Sequence, residues 1–205
     1  MKPLVLVFSK APAMGRSKTR LARDIGPVRA WQVKRGLDRH TLRTVRDPRW
    51  HTVLAVASLA ERRGPVPGVW PAPARVPRWW QGRGNLGDRM QRLIRRAGSQ
   101  GRTVLAVGTD CPSMERADIA AACRAAARHG AVAGPAEDGG YWLLGLSHRL
   151  ARRIDLGGVR WSGPHALADS LACLPQTVQP ARLRTRADID TGQDWAAWRQ
   201  RGRSG

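Results

Sequence analysis

The residues of this sequence that could do chemistry stand in clusters, each beside a turn former. Asp110 lies in Val107-Gly108-Thr109-Asp110-Cys111-Pro112, directly after the apolar run Val104 to Val107. A carboxylate at the C-terminal end of a buried strand stands where open α/β sheets bind their ligands. As a hard oxygen donor it suits Mg²⁺ or Mn²⁺ carrying phosphates. The same residue type is also a preferred helix N-cap, and position alone does not separate the two roles. A second cluster is the basic loop Lys10-Ala-Pro-Ala-Met-Gly15-Arg16-Ser-Lys18-Thr-Arg20. Arginine grips phosphate oxygens bidentately, lysine supplies a point charge, and Gly15 lets the backbone approach a ligand. This is not a Walker A loop, because G-x-x-x-x-G-K-[ST] is absent.

The third cluster, Glu137-Asp138-Gly139-Gly140, sets two acids before two glycines. Such a turn presents carboxylates beside exposed backbone N–H groups. Either acid could be a general base for an acceptor hydroxyl, or the turn could bind a sugar or a metal ion. A plain Asp-Gly turn would look the same. The fourth is Asp188-Ile-Asp190-Thr191, where alternation puts both carboxylates on one face of an extended segment. Capping of a following helix by Asp190 or Thr191 is the competing reading. No Ser-His-Asp or Cys-His arrangement is visible, and the five histidines do not cluster with cysteines or acids at zinc spacing.

These clusters must be held by regular elements, and the chain supplies them. Leu4 to Phe8, Thr52 to Ala57, Thr103 to Val107, Ala131 to Pro135, Tyr141 to Leu146 and Val178 to Leu183 read as strands. Helices are expected from near Pro27 to Asp47-Pro48, over Leu86 to Ala97, over Glu115 to His129, over Pro164 to Leu174, and after Thr191. Ser9 to Arg20 reads as a loop, and Arg63 to Arg83 as a short strand with irregular structure. Residues 199–205 are expected to fray. Strands alternating with helices predict an α/β fold: a three-layer α/β/α arrangement around a mostly parallel sheet. The 205 residues fit a single domain, 1–205.

Composition narrows the function classes. The excess of 36 basic over 15 acidic residues gives a net charge of +21, which attracts anions, nucleotides included. The arginines are scattered over every segment, with no basic tail or one-sided stripe, which argues against a dedicated nucleic-acid role. No apolar run approaches the length of a membrane span. The apolar N-terminal stretch lacks a cleavage site and reads as a first strand, so a cytoplasmic protein is expected. Three cysteines without metal-ligand spacing read as reduced thiols.

Taken together, FSKAPAMGRSKTRL (Phe8–Leu21), GNLGDRM (Gly84–Met90), VGTDCPSM (Val107–Met114), GPAEDGGYWLLGL (Gly134–Leu146) and DIDTGQDW (Asp188–Trp195) resemble a known group. They are similar to bacterial glycosyltransferase-A superfamily proteins of largely unassigned function, some labelled arsenosugar-biosynthesis glycosyltransferases. More distantly, the KTRL and DIDT ends are similar to 2-phospholactate guanylyltransferases and molybdenum-cofactor nucleotidyltransferases. The resemblance implies a nucleotide-diphospho-sugar transferase fold, GT-A and Rossmann-like. It implies a divalent metal, Mg²⁺ or Mn²⁺, on Asp110 and Asp190. It puts Lys10, Gly15, Arg16, Lys18 and Arg20 at the nucleotide phosphates. Asp138 or Glu137 falls on the acceptor side as base, with Gly139 and Gly140 against substrate. Asn85, Gly163 and Gly192-Gln193 depart from the group's usual acid, Thr and Pro-Glu. The implied reaction is glycosyl transfer from a nucleotide-sugar to a small-molecule acceptor. The alternative is nucleotidyl transfer from an NTP to a phosphorylated small molecule, with pyrophosphate leaving. The dense cations of the basic loop and the absence of a full D-x-D, since position 108 is Gly, favour that alternative.

Overall fold

The computed structural model describes residues 1–15, 17–63, 70 and 75–201. Arg16 therefore lies outside the described residues, as does most of the Pro/Gly-rich stretch. Among the described residues, seven strands form one sheet in the order β3-β2-β1-β4-β6-β5-β7. They are β1 (Leu4–Ser9), β2 (His51–Val56), β3 (Arg78–Trp80), β4 (Val104–Val107), β5 (Ala131–Pro135), β6 (Tyr141–Leu146) and β7 (Ala181–Arg182). β1 pairs in parallel with β2 and β4, β2 with β3, and β5 with β7. β6 runs antiparallel to both its neighbours. The sheet is thus mostly parallel, as the sequence predicts. The 131–146 region is a hairpin: Ala136 N donates to Gly140 O at 3.0 Å, and β5 and β6 flank that turn directly.

Helices cover both faces. Their ranges are α1 (Thr19–Ile25), α2 (Pro27–Thr44), α3 (Leu59–Arg63), α4 (Leu86–Ser99), α5 (Arg116–His129), α6 (His148–Ala151), α7 (Ala166–Ala172) and α8 (Gly192–Arg201). Strand alternation divides the core. Val5, Val7, Leu105 and Val107 face a cluster with Leu42 of α2 and Ile119 and Ala122 of α5. Leu4, Leu6, Val104 and Ala106 face Met90, Leu93 and Ile94 of α4 with Ala151 of α6. Burial on both faces explains why β1 and β4 read as unbroken apolar runs. A smaller cluster, Leu21, Ala30, Val33, Leu37 and Ile189, joins α1, α2 and the segment before α8.

The structure departs from the sequence expectations in places. The predicted loop Ser9 to Arg20 already enters α1 at Thr19, a helix with Leu21 as its buried residue. One anchor gives no periodicity to detect. α3 is likewise short and has no buried residue. The expected strand Val178 to Leu183 reduces to Ala181–Arg182 at the sheet edge. Residues 199–201 belong to α8 rather than to a frayed end, and 202–205 lie outside the described residues. No helix among the described residues is long and apolar enough to cross a membrane.

Candidate active site

The carboxyl ends of β1 and β4, at the centre of the sheet, open into a cleft of about 440 Å³. Its lining includes Lys10, Lys18, Arg20, Lys34, Arg89, Thr109, Asp110 and Asp190. Three of the four sequence clusters meet here or at its edge, although they are far apart in the chain.

Lys18 stands at the centre. It is the N-cap of α1 and holds a left-handed backbone, φ 53° and ψ 48°, where non-glycine residues are uncommon. That turn sends its side chain inward, to 5% exposure. Its Nζ lies 2.9 Å from Asp110 Oδ1 and 2.7 Å from Asp190 Oδ1, and it also donates to the Ile189 carbonyl. Burial works against this charge, but Asp110 and Asp190 outweigh it and hold the ammonium above the usual lysine range. Arg20 pairs with the second Asp190 oxygen at 3.0 Å.

The competing capping readings resolve on local hydrogen bonds. α5 begins with a capping box of Glu115 and Asp118, so Asp110 caps nothing. Before α8, Thr191 Oγ1 accepts from Asp194 N at 3.2 Å, while Asp194 Oδ2 accepts from the backbone N–H groups of Asp190 and Thr191 at 3.0 and 2.8 Å. The capping work falls to Thr191 and Asp194, which leaves the Asp190 carboxylate facing Lys18. Ile189 N donates to Asp110 O at 2.9 Å and ties the two acidic segments together. Asn85, where the resemblance implies an acid, caps α4 in a reciprocal box with Asp88.

Glu137, Asp138, Gly139 and Gly140 form the tip of the β5–β6 hairpin and do not line this cleft. Asp138 Oδ1 accepts from Gly140 N at 2.9 Å. Gly139 has φ +83°, and a Cβ there would stand 2.3 Å from the Pro164 carbonyl oxygen, so the turn demands glycine. Arg186 bridges in parallel to Ala136 and brings the following residues alongside the hairpin. As a result Asp188 falls among the other acids. Burial, followed by the charges of Asp110, Asp138 and Asp190, pushes its carboxyl up to about 7, with Lys18 opposing. Lys10 and Gly15 belong to the basic loop as expected. Lys10 lines the cleft, and Gly15 turns the chain at φ +71° without lining it.

Sequence reasoning passed over several groups of the cleft. Lys34 Nζ donates to Asp38 Oδ1 (2.5 Å), Thr109 Oγ1 (2.8 Å) and Ser9 Oγ (3.2 Å). Asp38 is fully buried and also accepts from Trp70 Nε1 at 3.3 Å. The readable signal was an i,i+4 charge pair on the otherwise apolar face carrying Ala30, Val33 and Leu37. Arg89, from α4, buries its Nε without a hydrogen-bond partner among the described residues. Gln81 donates its amide to the Ala55 carbonyl at 2.8 Å.

The donor set can be tested against a divalent metal. Asp110, Asp188 and Asp190 offer only hard carboxylate oxygens, as Mg²⁺ or Mn²⁺ prefers. Asp188 Oδ1 is buried without a hydrogen-bond partner among the described residues, and the buried Asp110 Oδ1 faces the Lys18 ammonium. Among those residues, no three acidic, His or Cys side chains stand grouped to hold an ion by themselves. Two carboxylate oxygens nevertheless flank a single cation position, the one Lys18 Nζ fills. Asp110 and Asp190 fit a metal whose remaining ligands come from water or phosphate.

Comparison with known proteins agrees with this architecture. Residues 41–163 match a family described as an uncharacterized protein conserved in bacteria (DUF2064). No curated protein matches the chain in sequence. Among solved structures, a candidate nucleotide-diphospho-sugar transferase from Desulfovibrio desulfuricans G20 superposes with a TM-score of 0.84 at 23% identity, covering 97% of this chain and 87% of that one. The 4-diphosphocytidyl-2C-methyl-D-erythritol synthase of Anaerococcus prevotii DSM 20548 gives 0.61 at 11% identity over 97% and 99%. Rv0371c of Mycobacterium tuberculosis H37Rv, in complex with manganese, gives 0.58 at 12% identity over 96% and 97%. At these identities the likeness is one of fold.

Proposed function

The chain belongs to the DUF2064 family, and from that premise we propose that it is a transferase acting on a nucleotide-activated donor. The observation that carries this is the convergence of Lys18, Asp110 and Asp190 in a cation-lined cleft at the carboxyl ends of β1 and β4. That is where open α/β sheets bind nucleotides. Residues 1–205 act as one domain in this reading, since β1, β4 and the segment before α8 all build the site.

The leading reaction is glycosyl transfer from a nucleotide-diphospho-sugar to a small-molecule acceptor. Its support is the description of the Desulfovibrio desulfuricans protein, whose fold follows this one through 97% of the chain. Lys10, Lys18 and Arg20, with Arg16 in the same loop and Gly15 turning it, hold the donor phosphates, and Arg89 reaches them from α4. Asp110 and Asp190 hold Mg²⁺ or Mn²⁺, which supplies positive charge against the leaving diphosphate. Asp138 receives the proton of the acceptor hydroxyl, with Glu137 the alternative on the same turn. Gly139 and Gly140 keep the hairpin tip close-fitting beside the acceptor.

Nucleotidyl transfer is the second reading, favoured by the number of cations lining the cleft. Lys10, Lys18, Arg20, Lys34 and Arg89 suit a triphosphate, and the Anaerococcus prevotii neighbour is named for a diphosphocytidyl product. One incubation separates the readings: the protein with Mn²⁺ and either a panel of NDP-sugars or a panel of NTPs. Nucleoside diphosphate release supports glycosyl transfer, pyrophosphate release supports nucleotidyl transfer, and neither product from any donor would overturn the transferase reading.

A further inference from the structure

We infer that Lys18 is a built-in counter-cation that occupies the metal position of the nucleotide-free site and must leave before a divalent ion can enter. This inference rests on the reading of Asp110 and Asp190 as metal ligands.

The geometry is that of a tethered ion. Lys18 Nζ stands within 2.9 Å of Asp110 Oδ1 and 2.7 Å of Asp190 Oδ1, and donates to the Ile189 carbonyl. Three oxygens from two segments thus converge on one nitrogen. An ammonium at that point and a divalent cation on the same carboxylate oxygens repel each other strongly in a partly buried site. The two cations therefore exclude one another, and the carboxylates are never left to face each other unpaired.

Lys18 has somewhere to go. It lines the same cleft as Lys10, Arg20 and Arg89, so a phosphate group bound there offers the ammonium a new anionic partner. Its lysine stem swings about the α1 N-cap while the left-handed backbone stays put. Arrival of a nucleotide then draws Lys18 off the carboxylates and exposes them to the metal. Metal and nucleotide binding become coupled through one side chain, and each promotes the other.

Mn²⁺ binding to the nucleotide-free protein, read from the electron paramagnetic resonance of free Mn²⁺, tests this without any turnover. Lys18→Met and Lys18→Ala should each bind Mn²⁺ about tenfold or more tightly than wild type. Lys18→Arg, which keeps the charge, should show no gain. Adding Asp110→Asn to Lys18→Met should abolish the gain. Equal or weaker Mn²⁺ affinity in both neutral variants overturns the inference while leaving the metal assignment standing. Absence of Mn²⁺ binding in every protein overturns the metal assignment and the inference with it. Should the neutral variants not fold, the ¹⁵Nζ resonance of Lys18 in the wild type serves instead. It should shift as Mg²⁺ binds, and an unmoved resonance at saturating Mg²⁺ overturns the proposal.

Discussion

At the scale of single residues, the acids of the site divide by what surrounds them. Asp138 is one of the charges that press on Asp188, and Glu137 is not. On the proposed assignment of Asp138 as base, Asp138→Asn should lower kcat by roughly 10²–10⁴-fold with little change in donor KM. Wild-type turnover in steady-state assays would remove Asp138 from the mechanism. Asp188 bears on stability. Its carboxyl is raised from 3.8 to about 7 in the fold. The folded protein then keeps a proton that the unfolded chain releases, so stability falls as pH rises between roughly 4 and 7. In the metal-free protein Asp188→Asn should erase that slope and be the more stable form at pH 8, by at most ~4 kcal/mol. Denaturant melts at pH 4 and pH 8 measure it. Asp110, Asp190 and the basic loop could be picked out in the sequence as candidates, because each interrupts the apolar pattern around it. Arg89 was hidden by numbers among 36 basic residues, whereas Lys34 carried a faint signal in its i,i+4 pairing with Asp38.

At the scale of elements, close contact sets the tolerances. β5 meets β6 where Gly134 lies under Trp142, and a Cβ there would stand 2.4 Å from the indole ring. Gly134→Ala should cost about 1–3 kcal/mol by overpacking, read from chemical denaturation. α2 is fastened to Ser9 of β1 and to Thr109, just beyond β4, by the buried Lys34–Asp38 pair. Lys34→Met alone should cost about 3–5 kcal/mol, because it strands a buried carboxylate, whereas Lys34→Met with Asp38→Leu should recover much of that. A single substitution no worse than the double would refute this account. The long elements were legible because their apolar faces repeat, as in α4 with Met90, Leu93, Ile94 and Ala97. α1 was not, because its place is set by tertiary contacts of Leu21 with α2 and Ile189 rather than by any local period.

At the scale of the molecule, charge dominates. A net +21 on 205 residues makes self-repulsion a continuous load on the folded state. Raising NaCl from about 10 to 150 mM shortens the Debye length from roughly 30 to 8 Å. The melting temperature should rise over that range, and differential scanning fluorimetry would show it. A fall would mean that the attractive pairs outweigh the excess charge. The sheet order follows from connectivity that one sequence can only suggest. The parallel β1–β4 pairing was foreseeable, but the reversal at β6 rests on the tight turn between Ala136 and Gly140.

The hydrogen bond from Ile189 N to Asp110 O has a kinetic meaning. It closes a loop holding α5, the hairpin, α6 and α7, and closing a long loop carries an entropy cost that shorter local contacts avoid. During refolding, β1, β2 and β4 can assemble with Asp110 in place while Asp190 is still elsewhere. Strand formation should therefore precede the capacity to take up Mn²⁺, with the two separated in a stopped-flow trace. On the proposed metal assignment, the site is complete only once its 188–190 segment has come home.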